Sequence, residues 1–145
     1  MIREAQKKDL KNILDLYKHL HGEEDYSDSM EYYDKWLEIL DEKKMKCFIQ
    51  FADNIAVASC IITVIPNLTR KQRPYSVIEN VITHKNYRNR GYGKAIMEKA
   101  VEYAKACNCY KVMLMSDSSR TEAHSFYKKF GFDGDLKKGF YLSLP

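Results

Sequence analysis

A chain of 145 residues, 45% of them hydrophobic, is long enough to bury a core as a single domain over residues 1–145 and too short for two. Its 24 basic and 20 acidic residues are spread along the chain, and the net charge of +4 suits an anionic ligand; with no recognisable nucleic-acid motif, a nucleic-acid binder is not expected. There is no run of eighteen apolar residues and no leader with a charged start and apolar middle, so a membrane span is not expected and the cytoplasm is the expected location.

The N-terminal half reads as scaffold. Leu10, Ile13, Leu14, Tyr17 and Leu20 recur at helical spacing behind Asp9, the expected N-cap, and Met30, Tyr33, Trp36, Leu37 and Leu40 mark a second amphipathic helix. Between them Glu23, Glu24, Asp25 and Asp28 make an acidic loop. Cys47–Phe51 and Ile55–Ile65 read as antiparallel strands joined by Asp53-Asn54, a good hairpin turn. A basic stretch, Arg70-Lys71-Gln72-Arg73, then leads to the apolar strand Val77-Ile78-Glu79-Asn80-Val81-Ile82. Of the four cysteines, Cys107 and Cys109 have the wrong spacing for a zinc pair and no second Cys or His pair accompanies them. Reduced core thiols are expected, and no metal.

Residues Arg88-Asn89-Arg90-Gly91-Tyr92-Gly93-Lys94 lie where that strand gives way to a helix. A turn with small residues opening a helix presents unpaired N–H groups at the positive end of the helix dipole, a seat for phosphate. Three cations in the same seven residues favour a pyrophosphate over a lone monophosphate. A dinucleotide fingerprint needs a small residue where Ile96 stands. A P-loop needs Ser or Thr after Lys94, where the chain has Ala95. Ile96, Ala100, Ala104 and Cys107 carry the helix to about Cys107, followed by a strand at Tyr110–Met115. A last helix spans about Thr121–Phe130, stopped by Gly131 in left-handed conformation, and Gly139–Leu144 alternates enough to be a closing strand.

The pattern Arg-x-x-Gly-x-Gly at 88–93 resembles the coenzyme A pyrophosphate loop of the GNAT acyltransferase superfamily, and Ala123–Phe132 resembles its second signature, in which a tyrosine faces the coenzyme sulfur. The element order over nearly the whole chain is similar to that fold, which implies an α/β (mixed α+β) architecture: a central mixed, mostly antiparallel twisted sheet flanked by helices. Within the superfamily, Ile78-Glu79, Cys109-Tyr110-Lys111 and Phe126–Phe132 are similar to glucosamine-6-phosphate N-acetyltransferases. The chain departs from them at Asn80, where they carry Asp, and at Met115-Ser116-Asp117, where they carry Asp-Cys-Ser; it also has Arg120 where many GNAT proteins carry Asn. The resemblance therefore implies acetyl transfer from acetyl-coenzyme A to a primary amine, with the sugar substrate left open.

Amine acetylation needs a neutral amine and a protonated leaving thiol. Glu79 is the candidate base: a carboxylate inside an apolar strand is expected to be partly desolvated, the alternative being a lysine partner or a solvent-facing side chain. Tyr127 is the candidate acid by resemblance, the alternative being an aromatic packed beside Phe126. For the cofactor, the resemblance implies the backbone of Val81, Ile82 and Thr83 along pantetheine, and the N–H groups of Arg88, Asn89, Arg90, Gly91, Tyr92, Gly93 and Lys94 at the pyrophosphate. An N–H near Val81 would meet the thioester carbonyl oxygen. His84 reads as a loop histidine, while His124 lines the cofactor groove or the surface. The acidic loop favours a cationic acceptor, whereas Arg70 and Arg73 would favour an anionic sugar if they fold over the same cleft. A non-catalytic coenzyme A-binding regulatory module is the rival reading. Monomer and homodimer both stay open, since many GNAT proteins pair.

Overall fold

The computed structural model describes residues 1–20, 25–26 and 29–145. Glu23, Glu24 and Asp28 of the acidic loop lie outside them. The described chain forms two compact units, Met1–Met113 and Leu114–Pro145.

The first unit is built on one sheet whose five strands lie in chain order: β1 (Ile2–Glu4), β2 (Met45–Ala52), β3 (Ile55–Ile65), β4 (Tyr75–Thr83) and β5 (Val112–Met113). β1 to β4 are antiparallel neighbours and β5 joins β4 in parallel, so the sheet is mixed and mostly antiparallel, as expected. Its helices are α1 (Leu10–Tyr17), α2 (Met30–Asp41), a single turn α3 (Thr69–Gln72) and α4 (Tyr92–Ala106). The β2–β3 hairpin closes at Asp53 (φ 51°) and Asn54 (φ 64°), the two left-handed residues that a tight two-residue turn requires.

Alternation along the strands divides the core. Cys47, Ile49, Ile61 and Ile82 pack with Ile13, Leu14, Leu16 and Trp36, so this face of the sheet carries α1 and α2. Cys60 lies on the other face, its Sγ 3.8 Å from the Ile96 carbonyl oxygen of α4, whose Ile96, Met97, Ala100 and Ala104 are all buried. Burial pushes the Cys47 and Cys60 thiols up, Cys60 to about 12, which keeps both protonated as core thiols.

Asp9 stands at the N-cap position of α1, as expected, but its side chain makes no capping bond there. Its carboxylate is buried, takes a fork of two bonds from Arg3 at 2.6 and 2.9 Å, and accepts the Gln6 N–H at 2.7 Å. The guanidinium bond holds this carboxyl below the usual range. A short polar residue ahead of a helix signals a cap from sequence, but an arginine six residues away offered the stronger partner.

The strand expected over Tyr110–Met115 is only two residues long, and the helix before it ends at Ala106, one residue early. In the second unit, α5 (Thr121–Phe130) has its expected bounds; Gly131 takes φ 120°, and Phe132 N–H returns to the Tyr127 carbonyl at 3.0 Å. The closing strand expected at Gly139–Leu144 is absent: those residues form no strand, and Phe140, Tyr141, Leu142 and Leu144 are exposed. Alternation specifies a strand only where another strand offers a ladder. Among the described residues no helix is long and apolar enough to cross a membrane.

Candidate functional site

β4 carries an interruption at its centre. Its pairing with β3 runs Ile78 with Ile62 and Glu79 with Ile61, then jumps to Ile82 with Ser59, so two steps on β3 match three on β4. The extra residue is taken up at Asn80, whose φ is 50°. Asparagine tolerates this left-handed backbone better than most residues, and the result is a β-bulge.

The bulge inverts the strand's hydrogen-bonding direction. Ser76 N–H donates toward β5, to the Lys111 carbonyl at 3.1 Å, whereas His84 N–H donates toward β3, to the Val57 carbonyl at 2.8 Å. Residues an even number apart in a regular strand point the same way, so the sense changes between them. Beyond the bulge, Val81 and Thr83 therefore direct their backbone groups away from β3, while Ile82 faces it. β5 pairs only with Ser76 and Val77. Past that point this edge of β4 has no ladder partner among the described residues of the first unit. Of the three backbone segments expected along pantetheine, Val81 and Thr83 face the open edge and Ile82 does not.

The open edge runs into the loop 88–94. Asn89 (φ 60°) and Gly91 (φ 86°) are left-handed, alternating with residues of ordinary backbone so that successive N–H groups turn toward one concavity. The first α4 bond is Ala95 N–H to Gly91 C=O at 3.0 Å, and no side chain caps this helix at Gly91. The N–H groups of Tyr92, Gly93 and Lys94 precede that bond and have no intrahelical acceptor. A Cβ on Gly91 would meet nothing within 4 Å, so glycine is needed there for its φ and not for space. Arg88 Nε braces the Thr83 carbonyl at 3.3 Å, Arg90 lies 5.3 Å over the Tyr87 ring, and Lys94 pairs with Glu98 at 3.5 Å. All three cations are exposed. Uncapped donors at the positive end of a helix with three cations on the rim fit a pyrophosphate.

Glu79 lies in the row Cys47–Ile61–Glu79 and so shares the sheet face of α1 and α2. It is exposed, which corrects the expected desolvation, and it stands directly before the bulge residue Asn80, itself exposed. Tyr127, on α5 in the second unit, is half-buried, with ring contacts to Phe126 at 5.3 Å and Phe132 at 6.1 Å. His124 Nε2 lies 2.8 Å from the Asp117 carbonyl oxygen in the turn before α5. His84 sits in the loop, its ring 4.4 Å from that of His19 and its Nδ1 accepting the Asn86 N–H at 3.1 Å.

The part of Asn80 was missed: it is the left-handed residue at the bulge that opens the edge of β4. The sequence signal was available, since an asparagine inside an otherwise apolar run marks a bulge.

The basic stretch 70–73 stands at the other end of β4, a strand of nine residues and so about 26 Å long. Arg73 donates to the carbonyls of Asn108 (3.2 Å) and Cys109 (2.9 Å), and Arg70 lies 5.7 Å over the Tyr110 ring. Arg70 and Arg73 are engaged with the connection after α4 and lie away from the loop 88–94.

Residues 10–132 match the acetyltransferase (GNAT) family. The glucosamine 6-phosphate N-acetyltransferase of Trypanosoma brucei brucei is 38% identical over 76 residues, 52% of this chain and 50% of that protein, so the chain spans about half the length of that relative. Among solved structures, a protein described as an acetyltransferase from Agrobacterium tumefaciens superposes with a TM-score of 0.95 at 34% identity over 99% of both chains. A transcriptional regulator from Bacillus halodurans does so with 0.90 at 28%, again over 99% of both. The fold, the opened β4 edge and the sequence match lead to one conclusion: the chain belongs to the acetyltransferase (GNAT) family, which uses acetyl-coenzyme A as cosubstrate.

Proposed function

We propose that this protein is an acetyl-coenzyme A dependent N-acetyltransferase acting on a primary amine of a small molecule, with residues 1–145 working as one catalytic domain. The observation that carries the reading is the pair of backbone segments, Val81 and Thr83 at the β4 edge and the N-terminus of α4, whose N–H groups have no ladder or intrahelical partner among the described residues of the first unit. The cosubstrate supplies a thioester carbonyl and a thiolate leaving group. On this reading the Val81 N–H meets the carbonyl oxygen as charge develops there, and the N–H groups of 89–94 hold the pyrophosphate. Glu79 takes the ammonium proton directly or through a water, which its exposure allows, and Tyr127 returns a proton to the departing sulfur. The reading holds for a monomer and a homodimer alike.

Thiol release measured over amino sugars, polyamines, amino acids, aminoglycosides and peptides tests it directly. Turnover with a small amine is expected, and Tyr127→Phe should lower kcat by about 10²-fold with little change in KM, as loss of a general acid does. Unaltered turnover in that variant removes Tyr127 from the mechanism. A second reading, a coenzyme-binding regulator, draws on the likeness to the Bacillus halodurans regulator. It requires coenzyme binding with no thiol release for any acceptor.

A further inference from the structure

We propose that His84 is a positioning residue for the coenzyme phosphate seat, its Nδ1 fixing the turn that carries the chain from β4 into the loop 88–94. The inference rests on the reading that this loop holds the pyrophosphate.

A chain of contacts runs from the end of α1 to the seat. His84 directly follows β4, and its Nδ1 accepts the Asn86 N–H at 3.1 Å, which caps the single turn Lys85–Tyr87. Its backbone is fastened as well: the N–H reaches the Val57 carbonyl at 2.8 Å, and the carbonyl takes the Tyr87 N–H at 2.8 Å. The half-buried ring lies 4.4 Å from that of His19, just past α1, and meets Tyr87 edge-on at 5.3 Å. Tyr87 then touches the seat itself, with the Tyr92 ring edge-on at 6.1 Å and Arg90 5.3 Å over its face.

An imidazole nitrogen accepts a hydrogen bond only while it carries no proton, so this cap exists with the ring proton on Nε2 and is lost when Nδ1 is protonated. The seat is thereby tied to the neutral form of His84. Among the described residues, the titratable and charged groups facing this ring are His19, with Asp15 on the same helix, and Lys85, Tyr87 and Arg88 of the loop; β3 offers the neutral Val57 carbonyl. Burial, with His84, Lys85 and Arg88 adding to it, holds the His19 imidazole below its ordinary value, so the ring partner from α1 is neutral at neutral pH. Cap and field oppose each other in sign. An imidazolium at 84 would attract a pyrophosphate, whereas loss of the cap loosens the turn that aims the N–H groups of the loop. The cap is the larger effect, because the imidazole reaches Arg90 and Tyr92 through the Tyr87 ring, and a charge acting across that distance is screened by salt.

The test is calorimetric titration of the full chain with coenzyme A between about pH 8 and 5.5, the range in which an imidazole ordinarily takes its second proton, with amide exchange on the free protein beside it. His84→Asn places a non-titrating capping oxygen where Nδ1 stands, and His84→Ala removes the acceptor. At the alkaline end His84→Asn should bind within about twofold of the parent and His84→Ala about fivefold more weakly. On acidification the parent should lose about fivefold more affinity than His84→Asn does; the coenzyme phosphates titrate in the same range, but equally against both proteins. Without ligand, exchange of the Asn86 amide should quicken about fivefold in His84→Ala and keep its parental rate in His84→Asn. Superimposable pH profiles of parent and His84→Asn overturn the proposal, as does an affinity that rises in acid in the parent alone. A slope that survives in His84→Asn and disappears in His19→Phe assigns the titration to α1 and overturns it too. So does a lower thermal midpoint in His84→Ala with affinity intact, which leaves the cap a matter of stability. Failure of the underlying reading has another signature: Gly91→Glu then binds coenzyme A as the parent does, at every pH.

Discussion

Two basic turns flank β4, and they differ in what their cations and strained backbone are bonded to. The first, α3, has Arg70, Lys71 and Gln72 all left-handed at φ 55°, 59° and 62°, and side-chain donors fasten its carbonyls. The Asn67 amide binds the Thr69 carbonyl, the Thr69 hydroxyl and the Arg73 carbonyl; Arg73 fastens to Asn108 and Cys109, and Arg70 covers Tyr110. The second, 88–94, has Asn89 and Gly91 left-handed and then opens a fifteen-residue helix that no side chain caps. Charge and strain are common to both. Only the second opens a long helix, whose aligned dipole stands behind its uncapped N–H groups, so the helix N-terminus is what separates a ligand seat from a structural clasp.

The sharpest way to break that contrast is Gly91→Glu. The new side chain meets open space, but it forces a glutamate to φ 86° and adds a negative charge where a pyrophosphate would sit. Coenzyme A affinity should fall by more than about 10²-fold, and the rise in thermal midpoint given by acetyl-coenzyme A should vanish. Affinity within threefold of the parent would show that the loop does not hold the phosphates.

Much of this difference was legible in the sequence, and the illegible part has a physical cause. The loop 88–94 declared itself because glycines, arginines and a following helical period coincide in seven residues. The hairpin at Asp53-Asn54 and the bounds of β3 were readable for the same reason: turn residues and alternation agree locally. The sequence could not show that Arg73 would find two carbonyls 35 and 36 residues away, or that Asp9 would be claimed by Arg3. Those are tertiary competitions, invisible to spacing. Glu79 was misjudged for a related reason. An apolar strand reads as covered throughout, yet the bulge at Asn80 opens it beside that carboxylate, and a bulge changes both register and exposure at a single residue. The tail at Gly139–Leu144 shows the converse, alternation with no ladder to join.

Charge removal at the two turns should separate binding from stability. Arg88→Ala and Arg90→Ala should each weaken coenzyme A about tenfold at low salt, with the loss shrinking as ionic strength rises, because exposed cations act through a screened field. Arg73→Ala should leave coenzyme affinity within twofold and instead lower folding stability by about 1–2 kcal/mol, since two carbonyls lose a charged donor. Denaturant midpoints and titration calorimetry on the same samples read both quantities. A tenfold loss of affinity in Arg73→Ala would merge the two turns into one site.

The mildest change is Asn67→Ala, aimed at the clasp that holds α3. Its amide nitrogen serves three acceptors at 2.9–3.2 Å, two of them backbone carbonyls of the turn. Because the turn is exposed, water can replace part of what is lost, so the cost should be about 1 kcal/mol, and the left-handed run at Arg70, Lys71 and Gln72 should relax toward ordinary backbone. Relaxation would free Arg70 and Lys71 from their present geometry. If the contrast between the turns is right, those freed cations still create no second phosphate seat, because α3 is a single turn with no helix dipole behind it. Coenzyme A should accordingly bind Asn67→Ala with the parent affinity and one-to-one stoichiometry, and turnover should be unchanged at saturating acceptor. A second binding event in the calorimeter, suppressed by adding Arg70→Ala, would mean that strain and charge suffice by themselves and that the helix N-terminus was given too large a part.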